Sequence, residues 1–154
     1  MIPNCVLWEG VYGFQPESIA HVRHQIRTAL DEAGFEADAV DTAVLLACEL
    51  ATNAVQHGRG RARRCFEARA VAAATGVYVE VADGNQRMPL PRRARDGDEN
   101  GRGLRLLAVL GHKWGVTLES GSGKRTWVLV AAALPEELRT TSQAAHRQEE
   151  LACA

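Results

Sequence analysis

Hydrophobic and polar positions change period several times along the chain, and each change marks an element. Residues 4–14 gather Val6, Leu7, Trp8, Val11, Tyr12 and Phe14 into a strand pattern interrupted by Gly10 and Gly13. Pro16-Glu17-Ser18 then opens a helix, with proline in the first turn. Ile19, Val22, Ile26, Ala29, Leu30 and Ala33 recur at helical spacing until Gly34. A second helix is predicted from Ala39 to the His57-Gly58-Arg59-Gly60 stop, with a core stripe of Val40, Ala43, Val44, Ala47, Ala51, Ala54 and Val55. Leu45 and Leu46 fall on the opposite side, flanking Glu49, and imply that a ligand, lid or partner covers part of that outer face.

The remaining elements are shorter. Cys65 to Ala73 alternates weakly, and Val77, Val79 and Val81 alternate cleanly with Tyr78, Glu80 and Ala82. The turn at Gly76 predicts an antiparallel hairpin. Residues 84–100, GNQRMPLPRRARDGDEN, read as a long irregular loop, and long loops in compact domains are commonly functional lids or linkers. A helix follows from Gly101 to Leu110, then strands at Trp114–Ser120 and Thr126–Ala133. With strands gathered in hairpins, this order predicts an α+β two-layer sandwich, helices on one face of a mixed, largely antiparallel sheet. The domain is expected to span residues 1–134, and residues 135–154 read as a polar tail.

Composition adds bounds. The 154 residues make one domain of ordinary size, with 46% apolar and 24% charged residues. A net charge of −1 gives no general pull toward nucleic acid, so no direct nucleic-acid partner is expected. No run approaches a membrane span, and the first ten residues show no leader pattern. Cys5, Cys48, Cys65 and Cys153 are scattered, which suits reduced thiols in the cytoplasm. His21 and His24, Arg61, Arg63 and Arg64, and Arg92, Arg93 and Arg95 read as solvated, although the loop arginines are also of a type that meets phosphates.

Candidate chemistry concentrates in three segments. Glu49, Asn53 and His57 stand four residues apart and form one polar row on the second helix. Val81-Ala82-Asp83 ends a strand. Gly101-Arg102-Gly103-Leu104 opens a helix, where free backbone N–H groups and the helix dipole favour an anion. In order and spacing these segments resemble the N, G1 and G2 boxes of the GHKL (Bergerat-fold) ATPase and kinase superfamily. The stretches ELATNAVQHG, VADG, GRGL and KWGV look most like its small branch of anti-sigma-factor serine kinases. The resemblance runs from about Val6 to Leu134.

The resemblance implies ATP and Mg²⁺ as cofactors. Asn53 matches the Mg²⁺ ligand, and Glu49 the catalytic carboxylate that activates the attacking hydroxyl. Asp83 matches the acceptor for the adenine amino group, with Gly84 beside it. Gly101, Arg102, Gly103 and Leu104 match the phosphate-binding helix start, and His57 closes the N box in a structural role or near the phosphates. Two departures stand out. The superfamily's G1 box runs D-x-G-x-G, whereas Asn85 and Arg87 occupy the later glycine positions here. Relatives often end on G-K-T-V-W, whose Thr helps to hold adenine; aligned on Trp127, Arg125 takes that place, with Thr126 the neighbouring candidate. The implied function is a protein serine/threonine kinase that sequesters a sigma factor and phosphorylates a STAS-type anti-anti-sigma antagonist, with a possible homodimer. The alternative from the altered G1 box is a non-catalytic ATP-binding or protein-binding module.

Overall fold

The computed structural model describes residues 5–61, 63–87, 102–121 and 123–139. The elements run β1 (Cys5–Gly13), α1 (Pro16–Glu32), α2 (Ala37–His57), β2 (Cys65–Ala73), β3 (Gly76–Asp83), α3 (Arg102–Leu110), β4 (Lys113–Glu119) and β5 (Gly123–Ala131). This is the expected order. The five strands form one sheet in the order β1-β2-β3-β5-β4, and every adjacent pair is antiparallel. The helices lie on one side of it, giving the α+β sandwich. β5 begins at Gly123, three residues earlier than its alternation indicates, because pairing with Glu119 and Asp83 already holds Gly123 and Lys124 in the ladder.

Local chemistry sets the helix ends. Pro16 occupies the first turn of α1, and the Ser18 hydroxyl donates to the Gly13 carbonyl at 2.7 Å. At the other end Gly34 adopts φ 83°, the left-handed conformation that glycine takes most easily. There Phe35 N–H donates to Leu30 O and Gly34 N–H to Asp31 O, a Schellman closure in which Phe35 and Leu30 both enter the core.

α2 is buried on more than one side. It packs against α1, α3, β2, β3 and β5. Its predicted stripe lies in the core, with Val55 at the margin. Leu46 and Leu50 are buried too, at 0% and 2% exposure. The outer-face placement of Leu46 is therefore corrected: the protein's own elements cover it, while Leu45 remains 42% exposed.

On the sheet's helix side, Phe66, Ala68, Ala70, Val77, Val79, Val81, Val128 and Val130 join the core. Phe66 is fully buried, its ring 5.5 Å from that of Tyr12 and 5.9 Å from that of Phe14. Phe66→Ala removes this bridge between β1, β2 and the core and is expected to lower stability by about 3–5 kcal/mol; urea denaturation measures it. Leu134 is buried and Leu138 packs partly against the core, so packing continues past 134 into the helical turn at residues 136–139. Cys153 and the tail from residue 140 onward lie outside the described residues. No helix among the described residues is long and apolar enough to cross a membrane.

The opposite sheet face is charged. Arg63 pairs with Glu119 at 2.7 Å and Glu67 at 3.3 Å; Arg125 reaches Glu119 at 2.8 Å, Glu80 at 3.5 Å and Glu67 at 3.6 Å; Arg69 pairs with Glu80. Arg63 is thus part of an ion network rather than the solvated turn arginine that its neighbours in sequence suggest.

Candidate functional site

The carboxyl-terminal ends of α2 and β3 meet. Gly84 N–H donates to the Gly58 carbonyl at 3.0 Å. A side chain at Gly58 would bring its Cβ to 2.8 Å from the Asp83 Cβ, and one at Gly60 would lie 1.7 Å from the Gly84 carbonyl oxygen. Gly58 has φ −81°, which any residue adopts, so close approach rather than a left-handed cap requires glycine there. The N-box and G1-box segments are brought into direct contact by these glycines.

Asp83 lies on the helix side of the sheet, 5% exposed. Its Oδ1 accepts from the Lys124 ammonium at 2.8 Å and from Asn85 N–H at 2.9 Å. Lys124, only 6% exposed, also donates to the Asn85 carbonyl at 2.9 Å. The motif reading did not single out Lys124. Its signal was the β5 register, which sets Lys124 directly opposite Asp83.

Asn85 does the work of a bracket. Its side-chain amide donates to the His57 carbonyl at 2.6 Å, and its Oδ1 accepts from Arg87 N–H at 3.0 Å. No non-glycine residue among those described has positive φ, so Asn85 and Arg87 sit without strain where relatives carry glycine. His57 is exposed at the end of α2 and enters this arrangement through its backbone.

The register also separates Thr126 from Arg125. Thr126 pairs with Val81 on the helix side and is 8% exposed. Arg125 points to the other face, into the ion network, and cannot stand in for a threonine in contact with a group on the helix side. Arg102, Gly103 and Leu104 form the first turn of α3, which packs on α2 and β4. Gly101 and the loop arginines Arg92, Arg93 and Arg95 lie outside the described residues.

Several polar groups at this end have unspent capacity. Among the described residues, the Glu49 carboxylate, the Asn53 amide, Asp83 Oδ2 and the Thr126 hydroxyl have no hydrogen-bond partner. No buried side-chain nitrogen or oxygen is left without one, so these atoms border accessible space rather than sealed core. Polar groups that are buried or half-buried yet open to donors and acceptors are what a polar ligand meets.

Residues 13–130 match the family model of the histidine kinase-like ATPase domain. The chain belongs to that family. The match covers α1 through most of β5 and includes all three motif segments. No curated protein matches the chain. The ATPase domain is an ATP-binding unit of the GHKL superfamily, usually loaded with Mg²⁺. Among the described residues no three His, Cys, Asp or Glu side chains cluster as a metal cage.

Proposed function

We propose that this ATPase domain is a protein serine/threonine kinase that regulates transcription as an anti-sigma factor. The observation that carries the reading is the pairing of an unspent Glu49 with an unspent Asn53 one helical turn away, on an α2 whose cap Gly58 is fastened to Gly84, the neighbour of Asp83. Asn53 offers a hard amide oxygen to Mg²⁺, and the ion, when bound, supplies charge neutralisation at the phosphates. Glu49 takes the proton of the attacking serine hydroxyl, a task for a carboxylate near the terminal phosphate but off the metal. Asp83 Oδ2 accepts from the adenine amino group, Gly84 lets the backbone close behind it, and Thr126 adds a hydroxyl on the same sheet face. The backbone of Gly101, Arg102, Gly103 and Leu104 meets the phosphates at the start of α3. His57 serves through its backbone.

The substrate is a serine on a STAS-type anti-anti-sigma antagonist, and the sequestered partner is a sigma factor. This reading rests on the ELATNAVQHG, VADG, GRGL and KWGV stretches together. A cytoplasmic site of action and a homodimer belong to the same proposal. The test is incubation of the purified protein with Mg-ATP and a panel of STAS-type antagonists. The expected result is a phosphoserine on at least one antagonist, detected by mass spectrometry, with loss of its binding to the kinase. Mg-ATP binding without transfer to any antagonist would instead favour a non-catalytic regulatory module.

A further inference from the structure

The pair Asp83–Lys124 holds more hydrogen-bonding capacity than the fold consumes. An ammonium has three N–H donors. Lys124 spends one on Asp83 Oδ1 and one on the Asn85 carbonyl, and no third partner exists among the described residues. Asp83 spends only Oδ1, which receives both Lys124 and Asn85 N–H. Among the described residues, one carboxylate oxygen and one ammonium N–H of the same ion pair are therefore left unspent in a nearly buried site, with side-chain exposures of 7% and 8%. Burying a charged pair is expensive, and its spare valences are dear to leave unfilled.

The geometry points to Lys124 as a second base-reading residue. Resting on the reading of this site as an ATP site, the carboxylate accepts from the exocyclic amino group of adenine and Lys124 donates to the adjacent ring nitrogen N1. The donor lies 2.8 Å from Oδ1 of the carboxylate whose other oxygen is the acceptor, so one carboxylate ties the two together, as the amino group and N1 are neighbours on the base. Asn85 fixes the arrangement, because its N–H binds Asp83 Oδ1 and its carbonyl binds the Lys124 ammonium, which leaves Oδ2 unspent. A purine with a carbonyl at position 6 and N–H at position 1 presents the reverse polarity at both points. Selectivity for adenine thus becomes a two-point reading rather than a single carboxylate contact.

Isothermal titration with base analogues tests this on the intact protein. Mg-ATP is compared with 1-deaza-ATP, which keeps the amino group but replaces N1 by C–H, and with purine riboside triphosphate, which lacks the amino group. The wild type is expected to bind 1-deaza-ATP roughly tenfold to a hundredfold more weakly than ATP, the range for a hydrogen bond to a charged group. In Lys124→Met the gap between ATP and 1-deaza-ATP closes, the penalty for the missing amino group persists, and Lys124→Arg restores part of the N1 discrimination. Equal binding of ATP and 1-deaza-ATP by the wild type overturns the role of Lys124 and leaves the ATP site standing. Failure of the wild type to bind any of the three overturns both. The wild-type comparison decides the matter even if Lys124→Met does not fold.

Discussion

Glu49→Ala is expected to lose phosphate transfer by about 100-fold or more, the lower end of what a positioned general base contributes, while still binding Mg-ATP. Glu49 makes no hydrogen bond or ion pair among the described residues and lies on a side of α2 that is only partly covered. Its removal therefore takes nothing from the fold, and the melting temperature should stay near that of the wild type. Asn53→Ala gives the complementary outcome. It too leaves folding contacts intact, but it withdraws the amide oxygen offered to Mg²⁺, so nucleotide affinity falls along with transfer. Transfer is read with labelled ATP and a STAS-type antagonist, binding by titration, and stability by thermal melting. Unchanged transfer by Glu49→Ala sinks the kinase assignment, whatever the binding result.

Asp83→Ala is expected to be the most damaging single substitution at the site for stability as well as for binding. It strands the Lys124 ammonium at 6% exposure with only the Asn85 carbonyl left to it. Breaking a buried pair from one side costs about 3–5 kcal/mol, a large part of the total stability of an ordinary domain. The Asn85 N–H loses its acceptor as well. The double variant Asp83→Ala with Lys124→Met leaves no charge behind, so it should recover most of the lost stability. It should not recover nucleotide binding, since the acceptor for the adenine amino group is still missing. Denaturation curves and titration of the three proteins separate the two effects. If the double variant is as unstable as the single one, the ion pair is not what Asp83 contributes to the fold.

Element order and fold class were legible because they follow from periods that local chemistry enforces. The alternation of Val77, Val79 and Val81 marks a strand with one face in the core, and all three are buried. The stop at Gly34 was legible because a left-handed residue is needed there. α2 was harder. A single amphipathic stripe presumes one covered face, whereas α2 is wedged among five elements, so Leu46 looked like evidence for a ligand when it is core. At the site, spacing along α2 revealed the row of Glu49, Asn53 and His57, because four residues make about one helical turn. What spacing does not carry is register between distant strands. The pairing of Lys124 with Asp83 and the division of Thr126 from Arg125 across the sheet both depend on how β3 meets β5, 41 residues apart along the chain for the ion pair. Asn85 illustrates the same limit. In a motif it is a missing glycine; in space it is the residue that joins α2, β3 and β5.

That junction changes when conformational entropy is lost. The stretch from Asp83 to Arg87 is fastened by the Asn85 side chain, which donates to the His57 carbonyl and accepts from Arg87 N–H, two bonds that glycine does not make. A glycine at position 85 would leave those residues many backbone states to surrender, at roughly 1–2 kcal/mol for each residue fixed. With asparagine, the chain surrenders them on folding, and binding free energy is not drawn down to order this side of the pocket. The departure from the glycine pattern thus shifts an entropic cost from the encounter with ligand to the biosynthesis of the protein.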